Sequence, residues 1–198
     1  MGQIVHGNKS FGYAPIINNG GVYRFGTPVM MPGLVSATVE VSQEDTKVYA
    51  DDITYAVIKG AKVRSAELHF RKITAAYAQF LGFKQNANGS LTDTGSFPNH
   101  CIFFETEDID SDANTQTTTL HILYCAKGST PTQESQTDEE TTEAGEFTVN
   151  YTCTDSNVAV DDDGNAVQYL KVTRTSANAL VYDTFDQAVI LPTTAMSV

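Results

Sequence analysis

The sequence contains no tryptophan, few cysteines and no long apolar run. Its three cysteines, Cys101, Cys125 and Cys153, are far apart and form neither a CxxC pair nor a Cys/His cluster with zinc-ligand spacing. We therefore expect buried, reduced thiols and no metal or other cofactor. No apolar stretch approaches the ~18 residues that cross a bilayer, and the N-terminus lacks the pattern of a signal peptide. These features predict a cytoplasmic protein that does not contact a membrane.

Motifs for catalysis or phosphate binding are also missing. We find no glycine-rich phosphate loop, no GxSxG elbow and no HExxH pair among the four histidines. His100 and Cys101 are neighbours in a predicted strand, so their side chains should point to opposite faces and cannot readily share a hydrogen bond. The acidic stretch 161–165 lacks the order of an EF-hand loop and predicts a tight turn. We therefore expect no enzymatic activity.

Basic residues are few and unevenly distributed. The 198-residue chain has 12 Lys and Arg against 24 Asp and Glu. Residues 1–84 carry nine basic and six acidic side chains, whereas residues 85–198 carry three and 18. This balance argues against wrapping nucleic acid, which requires clustered Lys and Arg. It suits a surface that repels DNA or a basic face that meets an acidic one between copies; acidic loops that only maintain solubility are the alternative.

Alternating apolar and polar residues predict strands along most of the chain. Asn18–Gly21, between two short apolar-aromatic runs, predicts a hairpin turn or an extended arm. Val48–Ile58 predicts either a long hairpin arm with Asp51 and Asp52 in its turn, or two strand halves separated by a bend. The other runs that we interpret as strands are Val35–Val41, Ala66–Phe70, Cys101–Glu105, Leu120–Cys125, Phe147–Tyr151 and Val167–Thr173.

One short helix is predicted over Ile73–Gly82. Thr74 is a suitable N-cap and Gly82 a suitable residue after the C-cap, and the apolar side chains between them share one face that should pack on a sheet. Residues 128–146 predict an acidic loop without a basic residue. No repeat or linker divides the chain. We therefore expect a single domain, 1–198, that is mainly β, with one short α-helix and long loops.

Several segments, taken in order along the chain, resemble a known family. The most distinctive is Lys47–Asp52, preceded by the strand Ser36–Val41. The other segments are Tyr13–Pro15, Gly26–Val29, Leu81–Phe83, Phe103–Glu107, Arg174–Ala179 and Val189–Pro192. Together they resemble the phi13-type family of phage major tail proteins, which build the tail tube of siphophages infecting Gram-positive hosts. The resemblance extends over nearly the whole chain.

The resemblance implies a tail-tube β-sandwich or barrel of two packed antiparallel sheets, with one short α-helix and long loops. It also implies a structural virion protein that assembles with itself. Subunits of such proteins form hexameric rings with a continuous inner β-barrel, and the rings stack into a tail tube through which DNA passes without specific binding. It further implies tape measure, tail terminator and distal tail proteins as partners, assembly in the host cytoplasm and a final location in the virion tail. The alternatives are another β-rich virion protein, such as a tail terminator or head-decoration protein, or a carbohydrate- or surface-binding β-sandwich. The lack of tryptophan weakens the last.

Two segments are the main candidates for contacts between subunits. Lys47–Ile58 is the candidate arm that contacts a neighbouring subunit or ring, and the acidic loop is the candidate for ordering on contact with the next ring. Phe11–Phe25 and Ala188–Val198 are secondary candidates. The individual candidate residues are Lys47, Tyr49, Asp51, Asp52 and Tyr55 in the arm, and Glu134, Asp138, Glu139, Glu140 and Glu143 in the loop.

Overall fold

The fold is mainly β, as predicted. The computed structural model describes residues 3–50, 53–110, 115–133, 145–155 and 158–194. The strands are β1 (Gln3–Asn19), β2 (Val22–Phe25), β3 (Val29–Met30), β4 (Leu34–Ser42), β5 (Asp45–Ala50), β6 (Ile53–Lys59), β7 (Val63–Phe70), β8 (Phe83–Gln85), β9 (Leu91–Asp93), β10 (His100–Asp110), β11 (Thr115–Gly128), β12 (Thr132–Gln133), β13 (Phe147–Cys153) and β14 (Tyr169–Thr173). The helices are α1 (Ala75–Ala78), continued by a 3₁₀ turn (Gln79–Leu81), and α2 (Ala179–Tyr182).

Ten strands form one large antiparallel sheet. Its main order is β2-β1-β10-β11-β13-β7-β4, and β3, β12 and β14 pair with β1, β13 and β11, respectively. Two further pairs, β5 with β6 and β8 with β9, form small sheets. The large sheet is not a closed barrel, because among the described residues its end strand β4 pairs only with β7. The side-chain amide of Asn8 in β1 nevertheless donates a hydrogen bond to the backbone carbonyl of Val35 in β4, at 2.8 Å.

The predicted hairpins are present. β1 and β2 pair up to Asn19 and Val22, and the connecting Gly20 and Gly21 have φ of 64° and 94°. Both positions of this two-residue turn need positive φ, which glycine adopts without a steric cost. For Val48–Ile58 the sequence allows two interpretations, and in the structure β5 and β6 are antiparallel partners. The hairpin interpretation is therefore confirmed, and the alternative of two strand halves separated by a bend is wrong. Asp51 and Asp52, predicted in the turn, lie outside the described residues.

The predicted helix is confirmed in a shorter form. The Thr74 hydroxyl accepts a hydrogen bond from the Tyr77 amide, and Gly82 ends the 3₁₀ turn with a φ of 92°. Tyr77 and Leu81 are fully buried against the sheet, as the apolar face predicts. The second helical turn, α2, is not predicted by the sequence pattern, because four residues are too few to show helical periodicity. None of the described helices is long and apolar enough to span a membrane.

Two apolar clusters lie on opposite faces of the β10–β11 hairpin. Ile102 and Phe104 belong to the first cluster, which α1, β7 and β13 cover. Cys101 and Phe103 belong to the second, which is covered by the chain after β14, including Tyr182 and Ile190. This is the alternation that a strand imposes. His100 and Cys101 accordingly face opposite sides, and all three cysteines are buried and free.

The predicted acidic loop begins with regular structure. Within residues 128–146, Thr132 and Gln133 form β12 and pair with Thr148 and Phe147 of β13. The acidic stretch 161–165 is a tight turn, as predicted, since Asp161 accepts hydrogen bonds from the Asp163 and Asn165 amides. Residues 134–144 lie outside the described part of the chain, and so do all five loop candidates.

Candidate assembly surfaces

The β5–β6 hairpin continues the β4–β7 pair as one long ribbon. Ser42 lies opposite Val63 at the end of the main sheet. Beyond it, the Gly60 amide donates to the Glu44 carbonyl at 2.7 Å, and the Gln43 side-chain amide donates to the Gly60 carbonyl at 2.8 Å. Within the described residues, β5 and β6 pair with each other and with no other strand. Residues 45–59 are called the hairpin arm below.

The hairpin arm exposes an unusual amount of apolar surface. It carries six of the 15 exposed large apolar side chains of the described residues, namely Val48, Tyr49, Ile53, Tyr55, Val57 and Ile58. Tyr55 is 75% exposed and Tyr49 is 65% exposed. Single exposed apolar residues are common on proteins, but a group of six on one hairpin marks an interaction site. Of the predicted arm residues, Lys47, Tyr49 and Tyr55 lie on this exposed hairpin.

The two ends of the acidic loop are held close together. Gln133 and Phe147 are paired across β12 and β13. Next to this pair, the Glu146 carboxylate lies 3.2 Å from the Arg71 guanidinium. The two residues that flank the undescribed segment 134–144 in the sequence, Gln133 and Gly145, therefore lie at the same end of β13.

The two secondary candidates meet in space, although more than 160 positions separate them in the sequence. The β1–β2 hairpin and the C-terminal segment line an open hollow of about 390 Å³. Tyr23 and Phe25 line one side of it, and Val189 and Leu191 line the other. Val22 and Tyr23 are exposed beside the hollow. The sequence gives no signal for this proximity, because it depends on how the chain after β14 folds back over β10 and β11.

A polar network in the first cluster links α1, β10 and β13. The Tyr77 hydroxyl lies 2.6 Å from the Tyr151 hydroxyl and 3.2 Å from His100 Nε2. His100 Nδ1 lies 2.9 Å from the Pro98 carbonyl, which can only accept, so the proton is on Nδ1. Tyr77 then donates to His100, and Tyr151 donates to Tyr77. All three side chains are buried, so the network cannot meet a substrate and serves the core.

Burial also sets the charge of two histidines. Desolvation lowers the pKa of His100 to about 4. The pKa of His121 is likewise lowered to about 4, by burial and by the nearby charge of Lys171. The His121 ring stacks on Phe104, and its Nδ1 lies 2.7 Å from the Tyr169 hydroxyl. Both histidines are neutral at pH 7. Among the described residues, no group of His, Cys, Asp and Glu side chains is arranged to hold a metal ion.

Comparison with known proteins identifies a family. A family model described as phage tail tube protein matches residues 2–198. No curated protein sequence matches the chain. The match covers the large sheet, the hairpin arm and the C-terminal segment together. It agrees with the resemblance found in the sequence.

Proposed function

The chain belongs to the phage tail tube protein family, and from this premise we propose that it forms hexameric rings that stack into a conduit for genome delivery. Membership makes the chain a structural component of the virion tail that assembles into a tube. The ring, its symmetry, the stacking and the passage of DNA are the proposed part. The six-fold symmetry follows the resemblance to phi13-type major tail proteins.

The exposed hairpin arm is the observation that supports assembly most directly. A two-stranded ribbon is only marginally stable alone in water, and this one also exposes six large apolar side chains. Fully burying a side chain of this size stabilises by about 1.5–3 kcal/mol relative to leaving it exposed. An isolated subunit leaves between 38% and 75% of each of these side chains in water. A subunit that places its arm against a neighbouring copy gains this burial.

We assign the contacts between subunits to the segments that the sequence singles out. In the arm these are Lys47, Tyr49, Asp51, Asp52 and Tyr55. In the acidic loop they are Glu134, Asp138, Glu139, Glu140 and Glu143, which become ordered on contact with the next ring. The hollow between the β1–β2 hairpin and the C-terminal segment is a further contact surface, since it combines an exposed apolar rim with both secondary candidates.

The open sheet and the net charge fit a tube around DNA. Sheet edges that remain unpaired in one subunit can join those of the next, and contacts between unlike surfaces close into rings or continue as a stack. The net charge of −12 disfavours binding to phosphate, so DNA passes without specific contacts. Tape measure, tail terminator and distal tail proteins are the proposed further partners. Assembly takes place in the host cytoplasm.

Negative-stain electron microscopy of the purified protein tests this proposal. Hollow tubes formed without any other component are the expected result. A single closed ring that never stacks would instead favour a tail terminator. Subunits that stay monomeric at every salt concentration would contradict the proposal.

A further inference from the structure

The hairpin arm exposes apolar side chains on both of its faces. Residues that are directly opposite in an antiparallel pair share a face, and residues two apart along a strand share it too. Thr46 pairs with Ile58 and Val48 pairs with Ala56, so Val48 and Ile58 lie on one face. Lys47 pairs with Val57, so Val57 lies on the other face together with Lys47 and Tyr49.

The remaining two apolar residues complete this division. Tyr55 lies at a register shift between the pairs Val48–Ala56 and Tyr49–Thr54. Alternation from Val57 places Tyr55 on the face of Tyr49, and the shift returns Ile53 to the face of Val48. The aliphatic face is therefore Val48, Ile53 and Ile58, and the aromatic face is Tyr49, Tyr55 and Val57. Every one of these six side chains is at least 38% exposed.

A contact on one side cannot bury this ribbon. If the arm lay flat on a neighbouring subunit, one face would be covered and three large apolar side chains would stay in water. If the arm paired edge to edge with a strand of another copy, its backbone groups would be satisfied while both faces stayed exposed. In both arrangements, apolar side chains of the arm stay exposed to water, which is unfavourable for the same reason as in an isolated ribbon.

We propose that the arm of each subunit inserts between two other copies of this chain, one covering the aliphatic face and the other covering the aromatic face. The inference rests on the proposed assembly into stacked rings. It adds that each arm joins three subunits. A copy of the same chain is the occupant because the family builds its tube from this one chain.

The charges of the arm favour the same occupant. Asp45 lies opposite Lys59, which leaves Lys47 as the unbalanced charge among the described arm residues. Lys47 lies on the aromatic face, and the chain as a whole carries a net charge of −12. In another copy, the acidic excess lies in residues 85–198, with 18 Asp and Glu against three Lys and Arg, and these acidic side chains are suitable partners for Lys47. Like-charged copies repel one another at longer range, so apolar contacts must supply the attraction.

Val57 and Ile58 provide a matched pair of variants, since they are neighbours in β6 and lie on opposite faces. Val57→Thr and Ile58→Thr each retain a β-branched side chain suited to a strand and remove apolar surface from one face only. Both positions are exposed, so each variant should fold, as checked by circular dichroism. We expect each substitution to raise the critical concentration for tube assembly roughly tenfold, measured by sedimentation.

Photo-cross-linking tests the number of partners directly. A subunit with benzoylphenylalanine at both Tyr55 and Ile58 is diluted into excess wild-type protein, assembled and irradiated. Three-chain products are expected from the doubly labelled subunit, and two-chain products from each singly labelled control. If only two-chain products form, or if only one of the two threonine variants weakens assembly, the inference is overturned while the proposed function stands. A wild-type protein that forms no tubes overturns both.

Discussion

The hydroxyl oxygens of Tyr77 and Tyr151 lie 2.6 Å apart in the interior and join the short helix to the central strand β13. Tyr77 also donates to His100, so it is the middle member of a buried chain of three polar side chains. Its ring packs on Phe11 and Tyr13. Because α1 has only four residues, this packing and these bonds hold it in place rather than helix propensity.

The first prediction compares two tyrosine substitutions. Tyr77→Phe deprives both the Tyr151 hydroxyl and His100 Nε2 of a partner, and should lower the free energy of unfolding by about 2–4 kcal/mol. Tyr151→Phe removes one bond and leaves the Tyr77–His100 bond intact, and should cost only about 1 kcal/mol. Urea denaturation of the unassembled subunit measures both. Tyr55→Phe, at an exposed site, is the control and should not change stability. Equal costs for the first two variants would contradict this network.

The second prediction is that acid lowers the free energy of unfolding, because His100 is buried in its neutral form. Burial lowers the pKa of His100 in the folded state to about 4, whereas an unfolded chain has a His pKa near 6.5. As pH falls below ~6.5 the unfolded state takes up a proton first, so the stability present above that pH is lost progressively toward pH 4. For His100 the loss by pH 4 is about 3 kcal/mol.

His100→Gln tests the source of this acid sensitivity. The variant should be less stable than the wild type at pH 7, yet its free energy of unfolding should fall less steeply between pH 6.5 and pH 4. His121→Gln should flatten the same interval, because the pKa of His121 is also lowered to about 4. Urea titrations at several pH values give the slopes. Identical slopes for the wild type and His100→Gln would refute the assignment.

The third prediction concerns the base of the hairpin arm. A Cβ added at Gly60 would lie 2.8 Å from the backbone oxygen of Glu44. Gly60→Ala should therefore shift the start of the arm relative to the main sheet. We expect assembly to weaken several-fold while the unfolding free energy of the subunit changes by only about 1 kcal/mol, because the clash displaces an arm that pairs with no other strand of the described residues. Ala61→Ser, at the next position, should assemble like the wild type. Normal tube formation by Gly60→Ala would show that the arm tolerates a change of direction.

The fourth prediction concerns the acidic loop. Deleting residues 134–143 leaves the three residues Ala144–Glu146 to connect Gln133 with Phe147, which is a common length for a hairpin connection. The shortened subunit should fold and remain monomeric. A full-length variant with the five acidic loop candidates changed to their amides separates the effect of charge from that of length. Tubes forming normally after the deletion would remove the loop from the set of assembly contacts.

The strands were predictable wherever one face of the sheet is buried. In β7, Ala66, Leu68 and Phe70 point into the first cluster and alternate with residues that are half-buried or exposed, so the period of two is visible in the sequence. The capped helix was predictable for a similar reason, since Thr74 and Gly82 mark its ends locally. In both cases a few consecutive residues are enough to identify the element and the face that it buries.

The candidate assembly surfaces were only partly predictable. Ile53–Ile58 has the composition of a buried strand, and nothing local indicates that both faces of the hairpin are exposed. Whether Val48–Ile58 forms a hairpin or a bent strand depends on pairing, which the two aspartates at its centre do not determine. The hollow between Tyr23 and Val189 depends on contacts between distant segments. Such contacts follow from the whole fold rather than from a local pattern.

The continuity of the β4–β7 pair with the hairpin arm has a mechanical consequence. The two strands of the arm run into β4 and β7, and hydrogen bonds at Glu44 and Gly60 bridge the junction. Ladder bonds in an antiparallel pair lie perpendicular to the strands. A pull along the ribbon is carried by the backbones of its two strands into β4 and β7, and it loads the bonds between β7 and β13 in shear at once, instead of breaking them one after another as in peeling. If neighbouring copies hold the arm, a pull on it would be transmitted to the large sheet of the subunit rather than opening the arm from its tip.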